Sequence, residues 1–400
     1  MTAICEFVCV DSGPRQPSRG MFSSNVVRKI CLLGCTAIFA GASPLSGQMV
    51  ITEPVGFTRI NCLGNSDTFV GMPFTRPPEF VGTIQSVSGN TIVVSGTPWT
   101  AGQFVYATGT QPNRYYMLVG PAGTTNPTEG RTFFITGNSS NTLTLETTPD
   151  ELGGTPAGAQ LLVIPYWTLN SVFPASHANA SFTPTVSTRD FKTQILIPAN
   201  GATGVNLANA QVYFFSNNVN NTTGNIGWRV VGDNTADHGD DPLGPGGSFV
   251  VRNLNAAPTL SLVSAGAVLT KRLSIPLTAP TSGSQGQDKA VSMVRPVEVT
   301  LTNTGLWPAD DSFVATTNTN DFKDRLLVYN NAQAALNKAP SAVYFYSDNV
   351  NSSTSNFGWR LVGDNTTPHD NDVIPLGAGF TVRKAGNGGQ TVIWTNAPTY

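Results

Sequence analysis

The chain has 400 residues, room for two or three domains. Only 12% of them are charged, the net charge is −2 and no basic stripe is present, so the electrostatic footprint of a nucleic-acid-binding protein is missing. With 40 Gly and 28 Pro among many Asn, Ser and Thr, the composition favours strands joined by tight turns, and a 40% hydrophobic share in short alternating runs excludes a disordered chain.

The first 48 residues read as a targeting segment. Arg28 and Lys29 precede an apolar run over residues 30–42, which ends in Ala40-Gly41-Ala42, the small residues a signal peptidase prefers. Cleavage is expected there or near Gly47 and Gln48. Residues 1–20 contain Asp11, Pro14 and Pro17 and no periodic pattern, so translation is expected to begin at Met21. Leu32-Leu33-Gly34-Cys35 resembles a lipobox, but the apolar run continues past Cys35, which weighs against lipidation. Cys5, Cys9, Cys31 and Cys35 all lie in the removable segment, leaving Cys62 alone and the mature chain without an internal disulfide. No second apolar run exceeds a strand's length, so no transmembrane anchor is expected.

Beyond this segment the chain repeats itself. Residues 212–235, VYFFSNNVNNTTGNIGWRVVGDNT, reappear at 343–366 as VYFYSDNVNSSTSNFGWRLVGDNT. At the same spacing Asp190-Phe191-Lys192 matches Asp321-Phe322-Lys323, His238 matches His369 and Arg252 matches Arg383. Upstream the match is interrupted. RPVEVTLTNTGLWPA near 295 aligns with RPPEF near 76 joined to YWTLNSVFPA near 166, and residues 66–72 align weakly with 287–293. Residues 81–165 are therefore read as an insertion.

The expected fold is all-β: two tandem antiparallel β-sandwich repeats, residues 49–80 plus 166–265 and residues 266–400, the first interrupted by a small β-barrel or β-roll module at 81–165. In GNIGWRVVG, period two puts Ile226, Trp228 and Val230 on one face and Arg229 on the other. Phe357, Trp359, Leu361 and Arg360 repeat that arrangement. The insert's ends, Phe80 and Tyr166, must lie close together.

The acidic loops at 232–244 and 363–377 are the most site-like segments. Asp233, Asn234, Asp240, Asp241, Asp364, Asn365, Asp370 and Asp372 offer clustered hard oxygens of the kind calcium takes. The spacing is not that of an EF-hand, and the same residues serve as turn formers, so calcium is the one cofactor considered and none is required. His238 and His369 have Asp neighbours but no second His or Cys, and His177 has no repeated counterpart. Glu79 and Glu298 are the matched glutamates, each in an RPxE stretch suited to a structural role. Trp99, Phe104, Tyr115 and Tyr116 are candidates for a sugar-stacking platform, although such residues at strand spacing more often form core. No GxSxG, HExxH, P-loop or CxxC is present, and Cys62 lacks a matched histidine.

The order EPVGF, GNSDTFVGMPFTRPPEF, GTIQSVSGNTIVVSG, IPYWTLNSVFP and the twice-used GWRxVGDNT resembles an uncharacterised family of exported, duplicated β-domain proteins of Verrucomicrobia and related bacteria. The likeness covers roughly residues 50–400 and implies Gram-negative export without a particular activity. The insert alone also resembles small β modules of phage tail and surface proteins. The expected function is a non-catalytic secreted or cell-envelope structural, adhesion or binding protein. The alternatives are a carbohydrate-binding protein, calcium-assisted or not, and a polysaccharide-active enzyme with an unrecognised carboxylate pair. Expected partners are a second copy of the chain or an extracellular glycan or protein, with nucleic acid and membrane spans absent.

Overall fold

A computed structural model describes residues 54–400 except 174–182, 256–258, 282–285, 309–311 and 387–388. The targeting segment, Met21, the cysteines before residue 48 and His177 lie outside the described residues. The described chain is β-structure throughout, apart from short 3-10 turns and one four-residue helix, Leu169–Val172.

Strands β1 (Val55–Cys62) and β2 (Ser66–Gly71) come first. Then come β3 (Phe80–Ser88), β4 (Thr91–Val94), β5 (Tyr115–Val119), β6 (Thr132–Asn138), β7 (Thr142–Glu146) and β8 (Gln160–Pro165), which close a barrel in the order β3-β4-β7-β6-β5-β8. The chain continues through β9 (Trp167–Thr168), β10 (Thr193–Pro198), β11 (Asn209–Asn217), β12 (Ile226–Val230), β13 (Pro242–Leu243), β14 (Ser248–Asn253) and β15 (Leu260–Ala267). The last nine are β16 (Leu273–Thr278), β17 (Gln287–Ser292), β18 (Val299–Thr300), β19 (Arg325–Val328), β20 (Ala342–Asp348), β21 (Phe357–Leu361), β22 (Val373–Ile374), β23 (Gly379–Lys384) and β24 (Thr391–Asn396).

The sequence repeat is also a repeat of topology. A five-stranded antiparallel sheet ordered β12-β11-β10-β14-β2 is matched by β21-β20-β19-β23-β17, the pair β1-β15 by β16-β24, and the pair β13-β9 by β22-β18. In the first set, Ile60, Cys62, Leu260 and Leu262 of the β1-β15 pair pack with Ile195, Trp228 and Val251 of the large sheet. Trp228 and Trp359 are fully buried, as the period-two reading requires. Their neighbours Ile226 and Phe357, on the same face, are exposed, because β12 and β21 are the edge strands of their sheets. Arg229 and Arg360 face away from the tryptophans yet are buried, at 6% and 4% exposure. Each guanidinium curls back onto its own strand. Arg360 donates to the carbonyls of Trp359 (2.7 Å) and Phe357 (2.9 Å) and to Asn356 Oδ1 (2.8 Å). A charge can be buried at such a position because carbonyl and amide oxygens replace water around it.

The barrel is small enough to be filled by its own side chains. Alternation points Ile92 and Val94 of β4, Phe133 and Ile135 of β6 and Leu143 and Leu145 of β7 inward. Strands β5 and β8, YYMLV and QLLVIP, are buried on both faces, which is why they read as continuous apolar runs. Tyr115, Met117 and Val119 point into the barrel, whereas Tyr116, Leu118, Leu162 and Ile164 join a cluster with Leu273, Ile275 and the rest of the second repeat's core. The barrel is thus inserted in one repeat and seated on the other. Its root is tied at the first repeat, where Phe80 pairs with Val163 and Arg76 donates to Asn113 Oδ1 (2.6 Å) and the Tyr166 carbonyl (3.3 Å).

Candidate functional site

The two acidic loops have the same architecture. Asp233 closes a turn by accepting from Thr235 N–H (3.0 Å), Thr235 Oγ1 (2.7 Å) and Ala236 N–H (3.2 Å), and Asp364 does so with Thr366 and Thr367. These donors hold the Asp233 carboxyl down to about 2 and push Asp364 in the same direction. The carbonyls of Asn234 and Asn365 accept from Asn225 and Asn356, the same side chains that brace the buried arginines. Asp241 accepts from Tyr213 Oη (2.7 Å) and lies 2.9 Å from His238 Nδ1; Asp372 takes the equivalent contacts from Tyr344 and His369, both at 2.8 Å. Burial, with the carboxylate as second cause, raises both tyrosine hydroxyls well above their ordinary value. In each ring Nε2 is itself buried and makes no hydrogen bond among the described residues.

The remaining ligand candidates are also engaged. Asp240 accepts from Asn170 Nδ2 (3.2 Å) and from Tyr106 Oη of the barrel (3.3 Å). Asp370 accepts from the Trp359 N–H (3.2 Å) and faces Arg360 at 3.6 Å; in the first repeat Asp237 does this for Arg229. Among the described residues no three His, Cys, Asp or Glu side chains gather as a metal-holding group. The loops lock turns and arginines in place.

The aromatic candidates do not form a platform. Trp99, Phe104, Tyr115 and Tyr116 are all buried, the first three in an edge-to-face run from Phe80 through Trp99 and Phe104 to Tyr115 inside the barrel. Tyr115 Oη donates to Glu79 (2.6 Å), and burial together with that carboxylate pushes it up to about 12. Glu298, the matched position, is exposed in the second repeat. Cys62 is fully buried, and burial pushes its thiol up to about 12, away from the thiolate a nucleophile needs.

What the structure does assemble is a junction between the repeats with reciprocal contacts. Asn331 clamps the backbone of Phe69 through its N–H and carbonyl, both at 2.9 Å, and Asn200, its repeat equivalent, clamps Ala290 in the same way at 2.7 and 2.9 Å. Gly71 N–H donates to the Gly377 carbonyl (2.9 Å), and Ser292 N–H to Gly246 (2.8 Å). Arg252 holds Asp67 with two bonds of 2.7 Å and also reaches Asn337; Arg383 holds Asp288 at 2.6 and 2.8 Å and reaches Asn206. Asn337 N–H caps Asp67, and Asn206 N–H caps Asp288. Each of these contacts is made once by each repeat, the signature of an isologous, two-fold interface built within one chain. Sequence reasoning aligned Arg252 with Arg383 and Asp67 with Asp288 but did not pair them. Matched polar residues on both sides of the repeat were the available signal. No family model, curated protein or solved structure matches the chain.

Proposed function

We propose that the chain is a non-catalytic structural or binding protein, exported to the envelope or exterior of a Gram-negative bacterium. In this reading its two sheet sets are tandem β-sandwich copies, clasped face to face into one rigid scaffold that carries the barrel on its flank. The observation that supports it is the reciprocal junction. Two sets of charged and amide side chains are engaged in holding the repeats together. The Asp-His loops are repeated and bonded internally, which suits a load held in two places better than a single reaction centre. The apolar run at residues 30–42 supports export.

The test is to express the chain with its leader, fractionate the cells, and assay the exported product on a glycan array with and without calcium and for sugar release from polysaccharides. The reading expects envelope or medium localisation, no turnover and no calcium dependence. Sugar release abolished by Glu79→Gln or Glu298→Gln, or calcium-dependent glycan capture abolished by Asp241→Asn, would overturn it.

A further inference from the structure

Among the described residues, repeat symmetry leaves one strand edge uncovered. Ile60 of β1 packs on Gly377 of the second repeat, and Ile275 of β16 packs on Gly246 of the first, so Ile60 and Ile275 are equivalent and Arg59 corresponds to Ser274. At Ser274 the free edge of β16 is capped by the barrel: its N–H donates to the Gly130 carbonyl and its hydroxyl to Glu129, both at 2.8 Å. Gly130 is the residue this approach permits, since a Cβ there would stand 2.6 Å from Ser274 Oγ. Among the described residues there is one such barrel, and no hydrogen bond from it reaches β1. Beside β16 the space between the repeats is only about 170 Å3, with Thr132 of the barrel at its wall. Beside β1 the equivalent groove measures about 640 Å3, between Arg59, Asn61 and Leu63 on one side and Tyr329, Asn330 and Pro375 on the other.

From these observations we infer that β1 pairs edge to edge with β1 of a second copy of this chain, an inference that rests on the assembly side of the proposed function. Ladder bonds alternate along a strand, so the N–H groups of Val55, Phe57 and Asn61 point outward with that of Arg59. The same residues form the exposed face, where Phe57 is 80% and Val55 76% exposed beside Val263 and Ala265 of β15. This is an eight-residue edge with one charge and with no proline or bulge to protect it, the kind of edge that soluble proteins otherwise blunt. An antiparallel pair centred on Phe57 sets Phe57 against its mate and Val55 against Arg59, which keeps the two arginines apart and the apolar face continuous. The paired strand would extend the existing junction, because the groove beside β1 opens directly onto Gly377 and Asn331.

The test uses the full exported chain, weighed by sedimentation equilibrium from about 1 to 100 µM, the range in which modest interfaces declare themselves. The wild type is expected to be a dimer in that range. Phe57→Glu, which faces two like charges across the axis, and Arg59→Pro, which removes an N–H pointing away from β15, are expected to weaken it at least 100-fold with unchanged melting temperature. Phe57→Cys is expected to give a covalent dimer on mild oxidation, because directly paired strand positions lie within disulfide reach. A wild-type monomer throughout, whether β1 stays bare or residues before Pro54 cover it, would overturn the inference. So would a dimer that survives Phe57→Glu and fails to cross-link through Phe57→Cys. A monomer without enzymatic turnover sinks this inference alone and leaves the proposed function standing.

Discussion

Gly71 lies where the two repeats approach closely, and replacing it with alanine measures that closeness. A Cβ added there would stand 2.0 Å from Ser292 Cβ and 2.5 Å from its Oγ, whereas non-bonded carbons settle near 3.5–4.0 Å. The two Cβ atoms cannot swing apart, because a Cβ moves only with its backbone. The repeats must therefore part by about 1.5 Å at this point. That separation stretches Gly71 N–H to Gly377 O (2.9 Å), Ser292 N–H to Gly246 O (2.8 Å) and Ser292 Oγ to Gly247 O (2.9 Å). Overpacking costs about 1–3 kcal/mol, and three weakened bonds add about 1 kcal/mol each, so Gly71→Ala should destabilise the protein by about 4–6 kcal/mol. Gly71 does not have a positive φ, so backbone freedom adds nothing to this figure. Urea unfolding reads the loss, with Gly123→Ala, whose Cβ would enter open space, as control. Adding Ser292→Gly to Gly71→Ala should recover most of it, leaving about 1–2 kcal/mol for the lost hydroxyl bond and a flexible strand residue. A Gly71→Ala variant within about 0.5 kcal/mol of the control, or a Ser292→Gly change that adds its own cost instead of relieving the clash, would refute the closeness of the junction.

Arg360→Met should cost about 3 kcal/mol by orphaning the Trp359 and Phe357 carbonyls, with Arg229→Met similar; a loss under about 1 kcal/mol in urea titrations would show that water reaches these sites. The Asp233 carboxyl is held at about 2, below the unfolded value of roughly 3.9, so its contribution is complete above about pH 4 and lost as pH falls through 2. Asp233→Asn should therefore flatten the decline of the urea midpoint across that window, and an unaltered slope would count against the turn's role. Cys62 should resist maleimide at about pH 8 in the folded protein and react once unfolded, as read by peptide mapping, and prompt labelling of the native chain would contradict its burial.

The elements legible in the sequence were those written locally. Period-two runs marked the strands, and GWRxVGDNT marked the duplication. A barrel and a roll were both open, and closure of β3 through β8 selected the barrel. The insert's aromatic residues read as core more readily than as a platform, and core they are: a small barrel needs large rings to fill it, and Trp99 and Phe104 do so from the segment between β4 and β5. The acidic loops were open to two readings, turn formers first and calcium ligands second, because both uses need the same oxygens. The Thr, Tyr, His, Asn and Arg partners that these residues meet cannot be read from spacing alone. The junction lay beyond sequence reasoning for a different reason. Repeat equivalence says that Asn200 and Asn331 have the same environment but not that each environment is supplied by the other repeat. The barrel's seat on β16 left a trace in the doubly buried runs YYMLV and QLLVIP, which signal a partner without naming it.

The central claim is that the two repeats and the barrel form one interlocked body. The barrel enters from the first repeat and shares a core cluster with the second, while the repeats exchange equivalent bonds across their junction. Scanning calorimetry of the exported chain tests this most directly. Interlocking predicts one cooperative transition with a calorimetric-to-van't Hoff enthalpy ratio of about 1. Two or three resolved transitions, with the barrel or either repeat melting independently, would contradict it.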